Sequence, residues 1–128
     1  MSTQLFIAGA FVLMILISVT VLRRARSTLS ADQKTLLQKQ WKHVESLSDP
    51  ARVVLEAEKV LDHAFTLRGY TGTFADKLRR AERLLPHYQQ LWDAHKLRNR
   101  IAHEPGITVT PKQAERAAKQ FRKALDLL

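Results

Sequence analysis

An uncharged apolar run, LFIAGAFVLMILISVTVL, occupies Leu5 to Leu22. At about 18 residues it is near the minimum that spans a hydrocarbon core as a helix. Its flanks separate an anchor from a cleaved leader. A leader carries positive charge before its apolar region and a small-residue cleavage site after it. Here the preceding residues, Met1 to Gln4, have no side-chain charge, and the charge follows as Arg23, Arg24 and Arg26. No Ala-x-Ala site follows them. The run therefore reads as a retained single-pass anchor, with Leu5, Phe6, Ile7, Phe11, Leu13, Ile15, Leu16, Ile17 and Leu22 as its lipid-facing residues. A buried core helix is the alternative, but nothing downstream is apolar enough to surround one.

Positively charged flanks stay on the cytoplasmic side of a cell membrane. The amino terminus is then outside, and everything after Arg23 is cytoplasmic. Arg23, Arg24 and Arg26 fall at lipid-headgroup level, where each adds roughly 1 kcal/mol of attraction to an anionic leaflet. Residues 1–29 form the anchor and a basic juxtamembrane segment. Residues 30–128 are left for one small soluble domain.

The chain carries a formal net charge of +9 and a pI near 10.4. Lys and Arg still outnumber Asp and Glu beyond the anchor. Such an excess favours polyanions, either nucleic acid or an anionic membrane surface. There is no cysteine, which excludes disulfides, thiolate metal sites and cysteine nucleophiles.

From Ser27 onward the apolar spacing is helical, with no sustained strand alternation. Ser30 is the expected N-cap of the first soluble helix, with Asp32 in its first turn. Leu36, Leu37, Trp41, Val44 and Leu47 make its stripe. Asp49 or Pro50 opens a second helix, which buries Val53, Val54, Ala57, Val60, Leu61, Ala64 and Phe65. Gly69 to Gly72 is a turn by composition. A third helix places Phe74, Leu78, Ala81 and Leu85 inward, and Pro86 opens a fourth that runs to about Ala102. Glu104-Pro105-Gly106 ends it. Thr110-Pro111-Lys112-Gln113 reads as a capping box, and the last helix has the stripe Ala114, Ala117, Ala118, Phe121, Ala124, Leu125 and Leu128. The predicted class is all-α: an N-terminal transmembrane helix followed by a small antiparallel bundle of four to five helices.

The fourth helix carries the stretch LRNRIAHEPG, Leu97 to Gly106. His95, Asn99 and His103 recur every four residues and share a face. Arg98 lies beside them and is long enough to reach a site shared with His103. This set suits cleavage of a phosphodiester without a metal. Histidine moves protons near neutral pH, as base to a 2′-hydroxyl or acid to the leaving oxygen. Arginine stabilises charge on the transferring phosphate. One histidine does not easily do both jobs, and a two-fold homodimer would bring a second Arg–His set into the same cleft. His95 and His103 are two turns apart, about 12 Å along the axis, too far to share one ion. No metal or cofactor is expected.

Arg98-Asn99-x3-His103 resembles the Arg-x4–6-His motif of HEPN domains (higher eukaryotes and prokaryotes nucleotide-binding). The resemblance covers roughly residues 30–128, with the motif late in the bundle. It implies a four-to-five-helix domain, often dimeric, many of whose members are metal-independent endoribonucleases. Arg98 and His103 would then be catalytic and Asn99 supporting, with Arg100, His95 and Lys96 as further RNA contacts.

Each of these residues also has a structural reading. Arg98 could pair with Asp93 or Glu104, His103 could bond the last helical carbonyls, and His95 could be a packing residue. The run Lys77, Arg79, Arg80 and Arg83 reads as a solvated face that could instead track a phosphate backbone. Two other functions stay open. One is a non-enzymatic membrane-anchored helical scaffold that dimerises or holds a partner, and the other is a regulatory nucleotide-binding module.

Overall fold

Capping chemistry sets where most of the helices begin. In the computed structural model, which describes residues 2–26 and 28–128 and the side chains of 2–22 and 28–128, all regular structure is helical. The lipid-headgroup roles expected of Arg23, Arg24 and Arg26 lie outside the described residues. Helix α1 spans Ser2–Arg26, about 37 Å at 1.5 Å per residue. Its stretch Ser2–Leu22 has the length and composition of a membrane anchor or a signal sequence, and none of it is buried against the rest of the chain. Leu5, Phe6, Ile7, Phe11, Leu13, Ile15, Leu16, Ile17 and Leu22 are all exposed. The hydroxyls late in this stretch are satisfied internally: Ser18 Oγ donates to Met14 O and Thr20 Oγ1 to Ile17 O, each at 2.8 Å. Neither leaves an open donor to hydrocarbon, where one would cost several kcal/mol.

Helix α2 (Ala31–Glu45) opens on a capping box in which Ser30 and Gln33 each bond the other's backbone N–H. Helix α3 (Pro50–Leu67) has Pro50 in its first turn and Asp49 as an N-cap without a side-chain bond. Helix α4 (Phe74–Arg80) begins at a second box, Thr73 with Asp76, which the composition of the preceding turn did not announce. A Cβ at Gly72 (φ +98°) would sit 2.7 Å from Asp76 Oδ2, so glycine leaves room for that cap.

The helix expected to reach Leu85 stops at Arg80. Leu85 precedes proline and is extended (φ −120°, ψ 89°), as that position prefers. The chain tightens into a 3-10 turn, Glu82–Leu84, where Leu84 N–H donates to Ala81 O at 2.8 Å and Leu85 N–H to Glu82 O at 3.0 Å. Pro86 therefore lies just before helix α5 (Tyr88–His103), whose N-cap is His87. Helix α6 (Pro111–Asp126) starts at the Thr110/Gln113 box.

Bonds between helices fix their directions. His63 Nδ1 meets Gln40 Oε1 at 3.0 Å across antiparallel α2 and α3. His87 Nε2 reaches Gln120 O at 3.2 Å across antiparallel α5 and α6. Arg68 Nη1 donates to Leu128 O at 3.2 Å, joining the ends of α3 and α6, which run parallel. Helix α6 packs on both α3 and α5. Val54, Leu61, Phe65, Leu78, Leu91 and Phe121 are completely buried there, and Ala114, Ala117 and Ala124 let α6 approach closely. Leu36 was expected inside but is 44% exposed. Helix α2 has only α3 as a major neighbour, so its buried face is narrower than its apolar stripe.

Asp76 makes the start of α4 sensitive to acid. Bonds from the Thr73 backbone and hydroxyl, aided by Arg79 and Arg80, hold its carboxyl below its ordinary value of 3.8. A depressed pKa means the cap is fully present above the ordinary carboxylate range and is lost as pH falls through the lowered value. Acid titration followed by NMR should show the Thr73 amide moving with the Asp76 carboxyl, while the Ser30 and Thr110 amides, capped by glutamines, stay still.

Candidate functional site

Glu58 follows Val54 by four residues and precedes Leu61 by three, so it lies on the apolar stripe of α3. Its side chain is only 6% exposed. A carboxylate there needs partners, and α5 supplies two. His95 Nδ1 lies 2.8 Å from Glu58 Oε2. Arg98 Nε lies 3.1 Å from Oε1 as an ion pair, although its N–H is not aligned for a hydrogen bond. His95 is buried in turn, with Phe74 at 4.9 Å and Trp92 at 5.5 Å between ring centroids.

Asn99 closes the network. Its Nδ2 is 3.2 Å from His95 Nε2, and Arg98 Nη1 donates to its Oδ1 at 3.4 Å. One proton assignment suits both His95 contacts. His95 Nδ1–H donates to Glu58, and Nε2 accepts from the Asn99 amide. Over this network lies an open pocket of about 420 Å³, lined by Glu58, Asp62, Phe74, His95, Arg98 and Asn99 among others. Its wall thus combines an imidazole backed by a carboxylate, a guanidinium, an amide and an aromatic face.

The structure brings together Arg98, Asn99 and His95. It does not bring His103 to them within one chain. His103 is the last residue of α5, exposed, and absent from the pocket lining. It lies one turn beyond Asn99, about 6 Å further along the axis. Arg100 and Lys96 are exposed and occupied by neighbours: Arg100 Nε lies 3.4 Å from Glu104 Oε1, and Lys96 Nζ lies 3.8 Å from Asp93 Oδ1. Such surface pairs are worth about 0–1 kcal/mol and break readily for a ligand. Asp93 and Glu104, the partners the sequence offered Arg98, are thus used by its neighbours.

Lys77 is no part of a solvated face. It is buried, with Nζ 2.8 Å from both Asp62 Oδ1 and Thr66 Oγ1. Arg79 lies over the Trp92 ring at 5.4 Å. Glu58 is the residue that sequence reasoning missed. The signal was there, a single carboxylate inside the series Val54, Leu61, Phe65, but its partners come from a helix distant in sequence. No protein-family model, characterised protein or solved structure matches this chain.

Proposed function

We propose that the chain is a membrane-anchored, HEPN-like RNA-binding protein that acts as a metal-independent endoribonuclease. Arg98 and His103 are its reacting pair and Asn99 supports them. The observation that carries this reading is the open pocket where Arg98, steered by buried Glu58, stands beside Asn99 and His95. In the reaction a base takes the proton of a ribose 2′-hydroxyl, whose oxygen attacks phosphorus. The 5′-oxygen leaves with a proton from an acid, and Arg98 stabilises the charge gathered on the phosphoryl oxygens. His103 projects from the end of α5, so a two-fold homodimer pairing these ends would give each pocket an imidazole from the partner.

The test uses the full chain in detergent micelles with single-stranded RNA, with and without a chelator. Cleavage unaffected by chelator, leaving 2′,3′-cyclic phosphate ends, is the expected result. No cleavage at any protein concentration removes the enzymatic reading. A non-enzymatic membrane-anchored scaffold is the second reading, and one observation favours it: Glu58 already neutralises Arg98.

A further inference from the structure

A short piece of chain joins the anchor to the bundle. Helix α1 runs to Arg26 and α2 starts at Ala31. Five Cα-to-Cα steps keep Ala31 within about 18 Å of Arg26 even when fully extended. Leu29, inside this link, is itself buried in the core, which shortens the reach further.

Helix register says which end of the bundle this tether holds near the bilayer. Antiparallel pairing of α2 with α3, through Gln40 and His63, sets Ala31 beside the turn at Arg68 to Gly72. The Arg68–Leu128 bond adds the end of α6. Antiparallel pairing of α5 with α6, through His87 and Gln120, sets the Glu82–Leu84 turn level with Asp126. Arg80 Nη1 donates to Thr71 Oγ1 at 3.2 Å and so belongs to the same end. Its cations are Lys34, Arg68, Arg80 and Arg83. Its anions are Asp32, Asp76, Glu82 and Asp126; Asp76 lies 3.3 Å from Arg79 Nη1 and Asp126 lies 3.0 Å from Arg122 Nε. Leu84 and Leu127 are 37% and 47% exposed there.

We infer that this end of the bundle is a membrane-docking face. Arg80 and Arg83 meet anionic headgroups of the leaflet that holds α1, and Leu84 and Leu127 enter the interface. The inference rests on α1 being a retained anchor. Continuity with that anchor, excess positive charge and two partly exposed leucines all favour a lipid surface. Glu58 is ten residues before Arg68 on α3, about 15 Å along the axis from this face, and the pocket on the flank of the bundle extends from there to Thr73 beside the turn. His103 is at the opposite end.

The chain's lack of cysteine allows single cysteines to carry an environment-sensitive fluorophore without background. The full chain, labelled at Leu84→Cys, Leu127→Cys, Leu13→Cys or Glu104→Cys, is reconstituted in phosphatidylcholine vesicles containing phosphatidylserine. Labels at positions 84 and 127 should shift to the blue and be quenched by lipid-borne quenchers, while the label at 104 stays in water. Arg80→Glu combined with Arg83→Glu should return positions 84 and 127 to water and leave position 13 in hydrocarbon. Labels at 84 and 127 as wet as that at 104, with position 13 still buried, would overturn the docking face and spare the anchor. A water-exposed label at position 13 would overturn the anchor and the docking face together.

Discussion

If the proposed ribonuclease function holds, replacing His103 with alanine should lower the rate of RNA cleavage by about 10²–10⁴-fold, the usual contribution of a general acid or base. The bundle stays folded, because His103 is exposed at the end of α5 and carries none of the core. Its stability should change by no more than about 0.5 kcal/mol, as for other surface substitutions away from special contacts. Gel-resolved cleavage rates and a circular dichroism melt on the same preparation separate the two effects. Arg98→Ala is a poorer probe, since it also leaves Glu58 without its guanidinium. If His103→Ala cleaves like the parent, the Arg–His pairing is wrong. His95, the imidazole that lies in the pocket, would then be the residue to test.

Glu58→Ala should destabilise the bundle by about 3 kcal/mol, the lower end of the range for removing one partner of a buried ion pair. The loss has two parts. His95 Nδ1 loses its acceptor inside the core, and Arg98 keeps its charge without a counterion. The lower end applies because the Arg98 side chain is 30% exposed and can turn toward water. Glu58→Gln should fall between the two, since an amide oxygen still accepts from His95 but brings no charge to Arg98. Urea denaturation of the full chain in detergent, followed by helical ellipticity, measures all three proteins. A loss below about 0.5 kcal/mol for Glu58→Ala would mean that the carboxylate does not hold α3 to α5, and typical domains have only 5–15 kcal/mol of stability in total.

Features decided within one turn of helix were partly legible in the sequence. The N-cap at Ser30 and the box at Thr110/Gln113 are local exchanges of hydrogen bonds and both form, whereas the Gln33 half of the first box and the equally local Thr73/Asp76 box were not read. The stripes of α3 and α6 are wide because each helix has several neighbours. Features decided between helices were not legible. Lys77 is buried because Asp62 and Thr66 wait for it on α3. The break after Arg80 was readable in kind, since Pro86 disfavours helix at Leu85, but its reach into the preceding helix was underestimated. For the site, four-residue spacing correctly placed His95 and Asn99 together. That spacing could not show that the pocket ends at Asn99, because its boundary is set by α3 and the start of α4.

The parallel pairing of α3 with α6 has a consequence for biosynthesis. As the chain leaves the ribosome, the face of α3 bearing Val54, Leu61 and Phe65 emerges well before α6 arrives to cover it. Should α1 insert in a membrane as proposed, that unfinished intermediate would wait beside a bilayer that competes for the same greasy surface. Pausing of translation before Thr110 would prolong the exposure and recruit chaperones, and a nascent chain cut short there would have no way to complete its interior.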